Sequence, residues 1–363
     1  MSVSCGIVGL PNVGKSTIFS ALSSAKAEVG NFPFCTIEPN VAVVEVPDER
    51  LEIIHGFIET KRVLPAVVKI VDIAGLVAGA SEGEGMGNKF LGNIKECDAI
   101  MQVVRCFGGE KVLREGDIDP LGDIEVIELE LAMADLETLR RAADRVAKKG
   151  RAGDKDALLD AETFEKAIEI LDGGQQLREY EWNERQRMSL KPLFLMTMKP
   201  VLYVANVSDD DLEGDNPWCK QVAEHAANQG SQWLPICGDL EFELRSMEEE
   251  DRAMFMEDLG VEQLGLERLI RTVYQLLGLQ TYFTAGEKEV RAWTIHAGDA
   301  APKAAGVIHT DFEKAFIRAE VYSVSDLQEF HSETAIRAAG KLRTEGRDYL
   351  MREGDVAHFL LGK

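Results

Sequence analysis

The sequence predicts an α/β protein: a parallel-rich sheet, an inserted α-helical hairpin and a small C-terminal α+β unit. Three observations predict it. Over the first 110 residues short β-rich runs alternate with helical stretches, as in parallel strands joined by crossover helices. From Ile124 the apolar residues fall at helical spacing among many charges, and sheet-like runs resume only at PVLYVANV (200–207). Beyond Gly278 short alternating strands mix with helices. At 363 residues the chain exceeds one ordinary core, so two or three domains are expected.

In chain order, the candidate strands of the first region are VSCGIVG (3–9), VAVVEV (41–46), AVVKIVDI (66–73) and AIMQVVRCF (99–107). Val126, Leu129, Met133, Leu136 and Leu139 then mark one helix running to about Lys149. After the breaker GRAGD (150–154) a second helical run reaches about Leu171, and two charged helices joined by a Gly-containing turn read as an antiparallel hairpin. The sheet returns with 200–207 and WLPIC (233–237), and a helix over Leu264–Leu277 closes it. EVRAWTI (289–295), AFIRAEVY (315–322) and the closing FLLG belong to the last unit. The expected division is therefore 1–122 with 192–277 for the sheet domain, 123–191 for the hairpin and 278–363 for the C-terminal unit.

Composition is that of a soluble globular protein, 45% apolar and 28% charged, without a run of membrane-spanning length. The start MSVSCGIVGLPNVG lacks the charged region and cleavage site of a signal peptide, which points to the cytoplasm. The six cysteines are scattered without metal-type pairing and read as buried reduced thiols. The net charge of −23 argues against indiscriminate nucleic-acid binding. Residues 278–363 carry only −2 of it, so the C-terminal segment is expected to approach RNA most easily.

GLPNVGKST (9–17) fits G-x-x-x-x-G-K-[ST] between a strand and a helix. Glycines let backbone N–H groups turn inward, and the following helix N-terminus adds partial positive charge where phosphates would sit. Asn12, Val13, Gly14, Lys15, Ser16 and Thr17 are the phosphate-side candidates; Lys15 would bridge the β and γ phosphates and Ser16 would ligate Mg²⁺. DIAG (72–75) ends a strand, placing Asp72 to reach that metal through water and the Gly75 N–H to meet the γ-phosphate, so that Lys15 and Gly75 are the catalytic candidates. Thr36, in the turn-rich NFPFCTIEPN, is a second metal hydroxyl or a turn-stabilising residue.

The glycine-dense GLVAGASEGEGMGNKF (75–90) cannot pack a core of its own and reads as a switch loop or an ordinary flexible one. Leu76 stands where many hydrolysing switches place a water-orienting Gln, and no histidine lies between His55 and His225. Hydrolysis is then slow, or completed by a group from elsewhere. In YVANVSD (203–209), Asn206 and Asp209 keep the spacing of the guanine-reading Asn-Lys-x-Asp loop, but Val207 replaces its lysine. Cys237, ending WLPIC, completes the base-side candidates.

Assembled in this order, the motifs resemble the YchF/Obg-like ATPase family of P-loop proteins over essentially the whole chain. The resemblance rests on GLPNVGKST, NFPFCTIEPN, DIAGLVAGASEGEGMGNKFL, VVRCF, the inserted hairpin, LQTYFTAGEKEVRAWTI and AGVIHTDFEKAFIRAE. It implies a nucleotide-binding G domain, a C-terminal β-grasp (TGS) module, and a cytosolic ATPase, with GTP a poorer or comparable substrate, that associates with ribosomes; the large subunit and ribosomal RNA are the expected partners and a monomer the expected state. The family usually has Asn-x-x-Glu in the base loop. Here Asp209 restores the guanine-type acid, so ATP is expected with GTP competing better than is usual in the family, and Asn206 could bond purine N7 in either case. The resemblance also implies a catalytic histidine after the fourth strand, where this chain has GGEKVLREGDIDP (108–120) with Arg114 nearest. Arginine cannot accept a proton from water, and Arg114 is not assigned a role. Asn12 is a candidate potassium ligand, as in some related cation-activated switches, or a plain loop residue.

Two functions compete. One is a nucleotide-dependent switch, with GTP preference as its variant. The other is an RNA- or ribosome-binding adaptor with a structural nucleotide, in which Arg291, Trp293 and Arg318 could offer a stacking face, core packing being the alternative for Trp293.

Overall fold

The computed structural model describes residues 3–24, 40–73, 86–108, 117–150, 154–261 and 263–362. They form two compact units, one drawn mainly from the chain up to Ser24 and from Lys69–Leu266, the other from Val43–Val68 and Glu267–Lys363. Among the described residues no helix is long and apolar enough to cross a membrane.

The first sheet takes β1 (Ser4–Val8), β2 (Val41–Glu45), β4 (Val67–Asp72), β5 (Ala99–Arg105), β6 (Val201–Asn206) and β7 (Gln232–Ile236), while β3 (Val63–Leu64) joins the other sheet. Its order is β2-β4-β1-β5-β6-β7, and β1 pairs in parallel with both β4 and β5. Every residue of β5 and β6 is buried, which is why both read as largely apolar runs, with Gln102, Arg105 and Asn206 the exceptions, rather than alternating ones. Because β1 lies between β4 and β5, successive connections leave it in opposite directions, a switch point at whose C-terminal strand ends sheets of this kind take their ligands. Helices α1 (Lys15–Ser24), α2 (Arg50–Phe57) and α3 (Met86–Glu96) follow β1, β2 and β4.

The hairpin pairs α4 (Pro120–Gly150) with α5 (Lys155–Asp172), whose N-terminus is capped by the Asp154 carboxylate accepting from Asp156 N and Ala157 N. Ile124, Ile127 and Leu131 of α4 enter the apolar core of the sheet unit. Ala132 and Leu139 then pack with Phe164, Ala167, Ile170 and Leu171 of α5 in a second core, closed by Leu177, Trp182 and Leu190. The second helix stops at Asp172, and the chain returns through 3-10 turns and α6 (Glu184–Leu190) instead of a continuous arm. Gly173 and Gly174 release it there.

Helices α7 (Pro217–Asn228), α8 (Gly238–Ser246) and α9 (Glu249–Asp258) complete the first unit. In the second unit α10 (Gly265–Leu276) precedes β8 (Leu279–Ala285) and β9 (Val290–His296). Helices α11 (Ala301–Ile308) and α12 (Thr310–Ala315) lead to β10 (Phe316–Ser323), and α13 (Val324–Phe330) and α14 (Glu333–Ala338) to β11 (Arg343–Glu345) and β12 (Asp355–Leu361). The sheet order is β11-β10-β12-β8-β9-β3, with parallel β12–β8 and β3–β9 pairs among antiparallel ones. Its core gathers Tyr282, Ile295, Ala304, Phe316, Val321 and Ala357.

Candidate functional site

The Gly9–Thr17 turn runs from the end of β1 into α1. It needs two left-handed residues, Asn12 (φ 63°) and Gly14 (φ 90°). Asparagine is among the few side chains that tolerate this region, and glycine enters it freely. Gly14 has a second constraint, because a β-carbon there would overlap the Asn206 side-chain amide. Its carbonyl accepts the first bond of α1, from Ile18 N at 3.1 Å. The remaining N–H groups of that first turn, Lys15 and Ser16 stand at a helix N-terminus, an arrangement that can take an anion.

Lys15 Nζ forms an ion pair with Asp72 Oδ1, joining the start of α1 to the C-terminal end of β4. Ser16 is exposed in the first turn of α1, and Thr17 is half-buried beside it. A serine hydroxyl and an aspartate carboxylate are hard oxygen donors, the chemistry that suits Mg²⁺.

Asn206 ends β6 and is 5% exposed. Its Nδ2 donates to the Val13 carbonyl at 2.9 Å, and its Oδ1 accepts from Gly238 N at 3.0 Å. One side chain thus ties the glycine-rich turn, the end of β6 and the start of α8 together. One N–H of its amide is left over for the N7 contact expected from the sequence, so its principal job here is structural. Gly238 serves the same junction, since a β-carbon there would sit 3.0 Å from Ile18 Cγ1 of α1.

At three base-side and phosphate-side candidates the structure leaves main-chain atoms alone to meet a nucleotide. Val207 is 3% exposed within the apolar core, and its N–H is bonded to the Ile236 carbonyl, so its side chain cannot cover a purine ring. Cys237 is 7% exposed in the same core, where burial pushes its thiol pKa up. Val13 is wholly buried. All three can offer backbone atoms only, because the apolar side chains are consumed by packing. Asp209 behaves differently. It is exposed, and no described residue bonds its carboxylate, whereas Asp210 accepts from Ser208 and Asp211 from Asn216. Thr36, Gly75, Leu76 and Arg114 lie outside the described residues, as does most of 75–90.

Sequence reasoning missed the support of the base-side loop. The Asp211 carboxylate accepts from Asp215 N at 2.8 Å and Asn216 Nδ2 at 2.6 Å. Asn216 Nδ2 also reaches the Cys106 carbonyl at 3.0 Å, while its Oδ1 caps α7 through Cys219 N at 2.9 Å. The signal was present: Asn216 followed by Pro217 is an N-cap with proline at the first helical position. Also missed was a buried ionic cluster. Arg178 bonds Glu128 of α4 at 2.5 Å and Gln229 at 2.7 Å, and the Tyr203 hydroxyl of β6 donates to Glu128 at 2.7 Å. Burial alone would raise the Glu128 pKa, but His225, the Arg178 charge, Tyr203 and Gln229 outweigh it and hold it down at about 2. The five described cysteines are free and buried, as expected. In the second unit Arg291 lies over the Trp293 ring at 4.0 Å, and Trp293 Nε1 donates to Thr284. Trp293 packs half-buried against the core, so its ring is largely spoken for.

Family models match two stretches. One, described as 50S ribosome-binding GTPase, covers residues 4–139; the other, the YchF-type GTPase C-terminal family, described as a protein of unknown function (DUF933), covers 279–361. The chain is 50% identical over 360 residues to the "Ribosome-binding ATPase YchF" of Haemophilus influenzae, covering 99% of both chains. It is 46% identical over 362 residues to the protein of that name from Bacillus subtilis, again over 99% of each. A solved structure of the Schizosaccharomyces pombe YchF GTPase is similar at a TM-score of 0.90 and 38% identity, over 99% of this chain and 98% of that one. With a P-loop-type sheet unit, the inserted hairpin and the C-terminal unit all within these matches, the chain belongs to the YchF family.

Proposed function

We propose that the protein is a nucleotide-controlled switch that binds ATP with Mg²⁺, hydrolyses it to diphosphate and phosphate, and works as a monomer on the cytoplasmic ribosome. The relatives' names, ribosome-binding ATPases, support this reading. The observation that carries it is the Asn206 clamp, which holds the glycine-rich turn against the loop bearing the open Asp209 carboxylate. In this reading the turn's N–H groups grip the phosphates, and Lys15 exchanges the Asp72 carboxylate for phosphate oxygens. Ser16, and Asp72 through water, would hold Mg²⁺, which supplies charge neutralisation when bound. Thr36 and Gly75 add a second metal hydroxyl and a γ-phosphate N–H, and residues 278–363 serve as a TGS-like module. Asn12 is the candidate potassium ligand, tested by turnover in potassium against sodium.

Calorimetric titration with Mg-ATP and Mg-GTP tests the reading. Binding of ATP, weakened in Lys15→Ala, is expected; no binding of either nucleotide removes it. One observation favours a second reading, GTP preference: the Asp209 carboxylate is exposed and unengaged among the described residues, as a guanine acceptor must be.

A further inference from the structure

The charge of the hairpin runs against that of the chain. Residues 140–155 hold seven Lys and Arg against two Asp, a net of +5 within a protein of −23. They lie at the far end of α4 and the start of α5. Helix α4 has 31 residues and is about 46 Å long. Its apolar anchoring in the sheet unit ends at Leu131, and Leu139 is its last residue buried in the hairpin core. Past that point only Ala142, Ala143 and Val146 pack, partly buried, against that core, and the rest of the helix end is mainly charged.

Arg145, Lys148 and Lys149 stand at i, i+3 and i+4, one face of the helix, and all three are exposed. Lys155 is exposed on α5 just beyond the turn. Among the described residues none of these four has a carboxylate within ion-pair distance, whereas Arg140 and Arg141 closer to the core are paired with Asp172 and Glu137. Complementing the helix dipole accounts for one or two cations in the last turn. A row that also includes Arg145 repels itself across i, i+3 and i+4 and slightly destabilises the helix. The tip therefore carries more unneutralised charge than its own folding requires.

We infer that the hairpin tip is a docking surface for the phosphate backbone of ribosomal RNA, through Arg145, Lys148, Lys149 and Lys155. This rests on the ribosome reading above and names the chemistry of the contact. An acidic protein is repelled by a polyanion everywhere except at a segregated basic projection, so the same feature sets both the attraction and the orientation of approach. It also moves the expected RNA contact from the C-terminal segment, which is at −2, to the tip, where Arg145, Lys148, Lys149 and Lys155 stand without a carboxylate partner among the described residues. Contacts to phosphate position without reading sequence.

The test uses the full chain and its variant with Arg145, Lys148, Lys149 and Lys155 each changed to Gln. Fluorescence anisotropy follows a labelled RNA hairpin of about 20 base pairs between about 50 and 200 mM KCl. The variant is expected to bind at least about tenfold more weakly at the lower salt, with a slope of log affinity against log salt shallower by about 3. An unchanged melting temperature and unchanged ATP turnover show that the fold and the nucleotide site are intact, so the result is separate from the fate of the nucleotide reading. Equal affinity and equal slope for the two proteins overturn the inference. So does weaker sedimentation with 70S ribosomes while RNA binding is unchanged, which assigns the tip to a ribosomal protein.

Discussion

Asn206 Nδ2 donates to the Val13 carbonyl at 2.9 Å, joining two points of the chain 193 positions apart, while Oδ1 of the same side chain accepts from Gly238 N. Both bonds are buried, so their loss is not made up by water. Asn206→Ala leaves a carbonyl and an N–H unsatisfied and is expected to destabilise the sheet unit by about 2–4 kcal/mol and to weaken ATP binding. Asn206→Asp keeps the bond from Gly238 but turns an acceptor toward the Val13 carbonyl, so it should be no milder than alanine. Urea melting checks both. An alanine variant that melts like the wild type would show that the clamp holds nothing.

Lys15 and Asp72 hold each other across the site. If the lysine is shared with a triphosphate, removing it costs most when charge develops on the transferred phosphoryl group. Lys15→Ala is expected to cut single-turnover ATP hydrolysis to below about one hundredth of the wild-type rate. Near-wild-type turnover would exclude this site as the place of reaction.

Much of this was legible in the sequence. The four sheet-domain strands before residue 110 and the two after 200 fall within two residues of their expected bounds, because short β-branched-rich, largely apolar runs bounded by turn signals mark strands well. The turn at residues 9–17 was legible because glycine and lysine there have few other uses. Short or tertiary-dependent pieces were not. The two-residue β3 and three-residue β11 exist only through their partners, Val290–Arg291 and Ala319–Val321. Position marked Val207 and Cys237 for the base side, but only their burial shows that packing has taken their side chains. The Glu128–Arg178 pair bridges 50 positions, and no local pattern joins them.

In the proposed reading, Asp209 sets the base preference. Its carboxylate can accept two bonds from guanine and none from adenine's bare N1. Asp209→Asn is therefore expected to lower GTP affinity by about tenfold or more and to leave ATP affinity within a few-fold, since one charged bond is worth about 1.5–3 kcal/mol. Asp209→Glu should act in the same direction by displacing the carboxylate. Competition calorimetry with both nucleotides reads the ratio directly. An unchanged ratio in Asp209→Asn would remove this residue from base recognition.

Glu128 gives the fold a dependence on pH whose sign can be worked out. The Glu128 and Arg178 side chains are 11% and 8% exposed, so screening by water is slight. Desolvation pushes the Glu128 pKa up, but its partners hold it at about 2 against an ordinary 4.5. The native state therefore favours the ionised form, and this contribution to stability is fully present above 4.5 and fades as pH falls toward 2. Glu128→Gln leaves the Arg178 charge buried among neutral partners, at a cost of about 3–5 kcal/mol near neutral pH. As acid protonates Glu128 in the wild type, the two proteins become alike. The difference in their melting temperatures should thus be largest near neutrality and narrow steadily below pH 4.5. A difference that stays constant into acid would mean that Glu128 is not the ionised partner of Arg178 in the folded protein.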